Sequence, residues 1–132
     1  MTTEVASSDV AKTIRTDGFK SLVVWQKGMD LTTAIYRASE RFPKSELYGL
    51  TSQLRRAASS IPANVAEGYG RASAKEEQQF LSIARGSLME VETFLILTER
   101  LKYLSEAEFA SIDSLRRDVG NLLIGYRRSK QA

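Results

Sequence analysis

The 132-residue sequence contains no cysteine, no histidine and only two prolines. Without cysteine there is no disulfide framework, no thiolate zinc site and no thiol nucleophile. Without histidine the commonest general base and the commonest transition-metal ligand are missing. A Ser-His-Asp triad and the Glu-x-x-His di-iron signature of helical bundles are excluded with it. No run of 18 apolar residues exists, so no transmembrane helix and no membrane contact are expected. The opening stretch is polar and small, is interrupted by Glu4 and Asp9, and lacks the apolar centre of a signal peptide. Residues 1–18 therefore read as a flexible arm ahead of one domain over 19–132, and a cytoplasmic location is expected by default. No segment alternates apolar and polar residues over a useful length, so no sheet is expected.

What remains is a helical composition. Hydrophobic residues make up 42% and charged residues 27%, as in a globular chain. The length suits one domain, which at this size buries roughly two-thirds of its unfolded surface. Four helices are predicted. The first spans about 21–42, with Leu22, Trp25, Met29, Thr32 and Tyr36 as its apolar stripe, and Pro43 ends it.

The second helix begins near Ser45 and carries Leu47, Leu50, Leu54, Ala57, Ile61 and Val65. The stripe keeps phase across Pro62, which favours one kinked helix capped by Gly68. The third starts at Ser73, with Glu76 completing a capping-box pattern, and ends near Lys102 or Tyr103. Phe80, Ile83, Ala84, Ser87, Val91, Leu95 and Thr98 mark its inward face. The fourth repeats the start signal with Ser105 and Glu108, and buries Phe109, Ile112, Leu115, Val119, Leu122, Leu123 and Tyr126. Four amphipathic helices with short connections predict an all-α, antiparallel up-and-down four-helix bundle.

Residues 48–93, YGLTSQLRRAASSIPANVAEGYGRASAKEEQQFLSIARGSLMEVET, carry more than amphipathicity. With Trp25-Gln26-Lys27 and Phe42-Pro43, the runs Gln53-Leu54-Arg55-Arg56-Ala57, Ser60-Ile61-Pro62-Ala63-Asn64, Ala66-Glu67-Gly68, Gly70-Arg71 and Ala84-x-Gly86-Ser87-x-x-Glu90 form a long, specific pattern. The chain resembles the four-helix-bundle family of 23S rRNA-intervening-sequence proteins over about residues 19–128. Some members are encoded inside insertions in 23S rRNA genes. A relative of the family, the accessory variability determinant of diversity-generating retroelements, forms a five-membered ring and assists a reverse transcriptase through a basic surface. The resemblance therefore implies a ring-like homo-oligomer, a pentamer, with contact to RNA, DNA or a ribonucleoprotein. It implies no reaction.

The formal charge of +3 is unevenly spread. Residues 1–20 and 21–110 are each neutral, so the whole excess lies in 111–132. Within the neutral middle, residues 44–75 carry +3 and residues 76–110 carry −4. Arg55, Arg56 and Arg71 belong to the basic part. One reading pairs them with acidic helix faces, a modest contribution for surface ions. The other makes them a phosphate-binding face, since guanidinium forks engage phosphates bidentately.

Arg116 and Arg127 are eleven residues apart, as are Arg117 and Arg128, so each pair stacks on one face of the fourth helix after about three turns. Arg116 and Arg127 flank the apolar stripe; the other two point further out. Repeated round a ring, this ladder would make a basic belt; alternatively it is a solvated helix end with dipole-favoured cations. Few aromatic residues interleave with it, so backbone contact is expected rather than base readout.

Asn64, Glu67, Arg85 and Glu90 are read as a polar network or a subunit interface. Asn64 and Glu67 lie close to the Ala58 carbonyl that Pro62 frees. Glu67, Glu90 and Glu92 could hold only a hard cation, and no Walker or dinucleotide pattern is present. No catalytic, cofactor or metal residue is assigned, and the chain is read as non-enzymatic. Gly28, Gly86, Gly120 and Gly125 fall inside helices and suggest close helix approaches, some between subunits. Two functions stand side by side: a homo-oligomer binding nucleic acid through Arg-rich faces, and a structural or protein-interaction module without a nucleic-acid role.

Overall fold

The computed structural model describes residues 18–131. The expected N-terminal arm lies outside the described residues, apart from Gly18. Four long helices follow one another: α1 (Val23–Ser39), α2 (Leu50–Tyr69), α3 (Ala74–Arg100) and α4 (Glu106–Ser129). A four-residue helix, Gly18–Ser21, precedes α1, and a 3-10 turn, Lys44–Glu46, follows it. No strand occurs among the described residues.

Each long helix packs on two neighbours. α1 lies against α2 and α4, α3 lies against the same two, and the diagonal pairs do not touch. Cross-helix contacts run in opposite sequence directions: Gly28 faces Pro62 while Arg55 reaches Ser39, and Glu77 meets Tyr126 while Glu92 meets Arg116. The arrangement is antiparallel and up-and-down, as predicted.

The core has two parts. Leu31, Ile35, Leu54, Ile61, Leu88, Val91, Leu95, Ile112 and Val119 fill one. Val24, Val65, Leu81, Ala84 and Leu123 fill the other, nearer the chain ends. On α1 the buried set is Val24, Gly28, Leu31, Ile35 and Ala38, which corrects the predicted stripe. Met29 and Tyr36 are exposed, and Leu22, Trp25 and Thr32 are only half-buried. Two apolar sets of similar spacing run side by side on this helix. The branched aliphatic set packs densely in the centre, whereas the larger side chains occupy the flank towards α2 and the end near Phe19, whose ring meets Trp25 edge-on at 5.5 Å.

α2 passes through Pro62 without a break. The proline ring lies against Gly28, where an added Cβ would sit 3.4 Å from its Cδ. Gly68 is not the C-cap: it lies inside the helix and is buried, and the chain leaves at Gly70. A Cβ at Gly68 would meet the Phe80 Cβ at 3.1 Å and the Glu77 carbonyl at 3.2 Å. Gly68 therefore sets how closely α2 and α3 approach.

Both predicted start signals operate. The Ser73 hydroxyl accepts the Glu76 N–H at 3.1 Å. Ser105 and Glu108 form the full reciprocal capping box. α3 ends in a left-handed residue, Lys102, with the Tyr103 N–H returning to the Thr98 carbonyl.

Candidate functional site

The packing of α3 on α4 gathers five arginines round one groove. Arg85 on α3 and Arg116, Arg117, Arg127 and Arg128 on α4 line a space of about 510 Å³, with Leu88, Met89, Leu123 and Ile124 between them. Helical spacing explains the selection. Residues 116, 120, 123 and 127 recur every three or four positions on the flank that faces α3, and 117, 124 and 128 stand one step further out.

The arginines are held to different degrees. The Arg116 Nε donates to Asp113 Oδ1 at 2.6 Å, and Nη1 lies 3.6 Å from Glu92 Oε1. Its side chain is 13% exposed, that of Arg117 is 63% exposed, and Arg117 keeps a 3.5 Å contact with Asp113 Oδ2. The Arg127 Nε donates to Gln78 Oε1, while Gln78 Nε2 donates to the Arg127 carbonyl. Arg85 and Arg128 have no carboxylate partner among the described residues. Five arginines thus face the two carboxylates of Glu92 and Asp113. Opposite charges this close fix the inner guanidinium planes, while the outer donors stay directed at solvent.

Lower on the same pair of helices, Glu77 is buried and accepts the Tyr126 hydroxyl at 2.8 Å, with Lys130 Nζ 4.0 Å away. Burial first, and this hydrogen bond second, push the Tyr126 phenol well above its ordinary range. This cluster anchors the end of α4 that carries Arg127 and Arg128.

The other predicted arginines lie elsewhere. Arg55 stacks over the Tyr36 ring at 4.7 Å, and its Nε donates to Ser39 Oγ at 2.8 Å. Arg56 is exposed and reaches Ser52 Oγ at 3.4 Å. Arg71 lies over the Phe80 ring at 4.6 Å and 3.4 Å from Glu67. Arg55 and Arg56 lie on α2, diagonal to α4, and Arg71 lies in the connection between α2 and α3, so none of the three lines the groove.

The expected network of Asn64, Glu67, Arg85 and Glu90 is not formed as such. Asn64 Nδ2 donates to the Ser60 carbonyl and hydroxyl, and the Ser87 hydroxyl donates to Ser60 Oγ across the α2–α3 contact. Glu67 turns to Arg71, and Glu90 lines a separate polar depression with Ser60 and Ser87. Arg85 sits on the opposite flank of α3, in the groove. The physical reason is angular: positions 85 and 90 are five residues apart, nearly half a turn out of register. Gln78, Glu92 and Asp113, which orient the arginines, were not singled out from the sequence. Two of their contacts join residues 49 and 24 positions apart on different helices, and the third sits one turn away on α4. Among the described residues no group of three acidic side chains could hold a metal ion. Nor is any helix there long and apolar enough to cross a membrane.

Comparison with known proteins adds a family to this geometry. The family model described as 23S rRNA-intervening sequence protein matches residues 20–125. The chain belongs to this family. The chain is also similar in fold to a crystal structure of a protein with unknown function from the S23 ribosomal protein family from Bacteroides thetaiotaomicron. That protein is 25% identical, with a TM-score of 0.72 over 80% of this chain and 98% of the other. No curated protein matches the chain significantly.

Proposed function

We propose that this protein is a non-enzymatic, cytoplasmic, homo-oligomeric four-helix bundle that binds the backbone of RNA or DNA, alone or in a ribonucleoprotein, through the α3–α4 groove. The observation that carries this reading is the convergence of Arg85, Arg116, Arg117, Arg127 and Arg128 on one surface. Arg116 and Arg127 are about 16 Å apart along α4 at 1.5 Å per residue, a distance suited to tracking several phosphates of one strand. The apolar floor and the scarcity of aromatic rings favour contact with phosphate and sugar over base readout.

Assembly into a ring is supported by bare helical surface. A Cβ at Gly86 or Gly125 would meet nothing within 4 Å, and Ile83, Leu97 and Leu101 are exposed outside the groove. These positions offer low relief and apolar contact to a second copy. A pentamer is the assembly that the family resemblance implies. In such a ring the α3–α4 grooves repeat with the symmetry of the assembly and add their fields.

The test is a titration of labelled RNA and DNA at several salt concentrations. A steep fall of affinity with salt, lost in the combined variant Arg117→Ala/Arg128→Ala/Arg85→Ala, supports the reading. No binding at low salt refutes it, and leaves the groove as a surface for an acidic protein partner.

A further inference from the structure

The α4 wall of the groove carries a second pattern besides its charge. Arg117, Asn121, Ile124 and Arg128 recur at steps of four, three and four, and all four line the groove. That spacing sets them in one row about 16 Å long, at 1.5 Å per residue. All four are exposed. The row runs cation, amide, aliphatic, cation. Across the groove, α3 offers Arg85 and, one turn on, Met89, again a cation followed by an apolar side chain.

These side chains are open to a ligand. Arg85 and Arg128 have no carboxylate partner, and Asn121 has no hydrogen-bond partner, among the described residues. Arg117 keeps a single 3.5 Å contact, with Asp113. The two carboxylates near this end of the groove, Asp113 and Glu92, are engaged by the inner guanidinium of Arg116. Ile124 is 49% exposed and Met89 is 47% exposed. Single apolar side chains on a surface are ordinary. Here two of them share one concavity with three outward-facing cations. Its volume of about 510 Å³ falls within the roughly 300–1,000 Å³ of ligand sites.

We propose that the groove takes a single strand of nucleic acid rather than a duplex. Arg85, Arg117 and Arg128 receive its phosphates, and its bases lie against Met89 and Ile124. The Asn121 amide, which both donates and accepts, reaches the edge of any base between them. This inference rests on the groove reading above and narrows it. A duplex carries its phosphates outside and its base faces within, so it would press charged backbone onto Met89 and Ile124 and desolvate it without a partner. A single strand alternates an anion with an apolar base face, which is the alternation of the wall. Aliphatic side chains cover a base without reading it, so no base preference is expected. Counterion release alone favours the duplex, whose charge is denser. A preference for the single strand therefore cannot come from the arginines by themselves.

The experiment uses the full-length protein and oligouridine, alone and annealed to oligoadenylate of the same length, at several salt concentrations. Oligodeoxythymidine, alone and annealed to its complement, repeats the series with DNA. The single strands are expected to bind at least about tenfold more tightly than the duplexes at equal salt. Ile124→Ser and Met89→Ser should each weaken single-strand binding by about fivefold, the loss of one aliphatic contact. Neither should change the salt slope or the duplex affinity, because no phosphate contact is removed. Both side chains are exposed, so folding and assembly are expected to survive, which melts and light scattering check. Nuclear Overhauser contacts from the uridine base protons to the Ile124 and Met89 methyl groups give a direct readout. The proposal is overturned if a duplex binds as tightly as its single strand, or if both serine variants keep the parental single-strand affinity. It is also overturned if they lose that affinity by breaking up the assembly. In each of these cases the groove reading still stands if affinity falls steeply with salt. No binding of any probe at low salt overturns both.

Discussion

The hydroxyl of Thr32 on α1 lies 3.1 Å from the carbonyl of Ala58 on α2, the carbonyl that Pro62 deprives of its helical donor. The same hydroxyl is 2.8 Å from the Gly28 carbonyl, so one proton is shared between the two acceptors. A proline in mid-helix removes one i→i−4 hydrogen bond. Here the donor comes from the neighbouring helix, and α2 stays continuous. The contact also fixes the register of α1 on α2, since a slip by one residue would leave the carbonyl orphaned.

Thr32→Val should therefore destabilise the protein by about 1–3 kcal/mol, the cost of an unsatisfied buried acceptor. In a Pro62→Ala background the residue 62 N–H can serve Ala58, and the cost should fall by at least half. Urea denaturation of the four members of the double-mutant cycle measures this coupling. Equal losses in both backgrounds would show that Thr32 acts through packing alone.

Glycines in this fold divide by their surroundings. Gly68→Ala should cost about 1–3 kcal/mol, because the new methyl group meets the Phe80 Cβ and the Glu77 backbone. Gly86→Ala and Gly125→Ala have open space and should each stabilise an isolated chain by up to about 1 kcal/mol. Thermal melts at low protein concentration report the sign. Light scattering on the same variants tests whether either glycine sits where two copies meet: a shift towards smaller species is expected if it does.

Salt dependence gives a residue-resolved test of the groove. Arg117 and Arg128 should each lower the slope of log affinity against log salt by about one unit when changed to alanine, as one phosphate contact is lost. Arg116 differs, because Asp113 and Glu92 hold it. Arg116→Ala removes the partner of two carboxylates, so it should reduce affinity and Tm together. Filter-binding at four or more salt concentrations, with melts in parallel, separates the two behaviours.

The phenol of Tyr126 predicts an alkaline limit. Its folded-state pKa is raised by burial and by the hydrogen bond to Glu77. The neutral form is thus favoured by folding, and its stabilisation is complete below the unfolded value near 10. It is lost as pH rises above that value. Tm should fall between pH 10 and 11, and Tyr126→Phe should flatten that fall while lowering Tm at pH 8. A variant with the same alkaline slope as the parent would assign the loss to other groups.

The helices and their order were legible because apolar spacing and Ser-x-x-Glu starts are local signals. The inner face of α1 was not. Leu31 and Ile35 lie beside Trp25, Met29 and Tyr36 in an equally periodic pattern, and only packing density in the assembled core separates the two. The stacking of Arg116 on Arg127 was legible from their eleven-residue interval. Arg85 was not, because it precedes Arg116 by 31 residues and meets it only through the antiparallel pairing of α3 and α4.

The diagonal separation of α2 and α4 leaves the arginines of α2 and those of α4 on surfaces that share no helix–helix contact. The Arg55–Tyr36 stack and the α3–α4 groove are therefore independent parts of one bundle, and the effects of substitutions in the two should simply add.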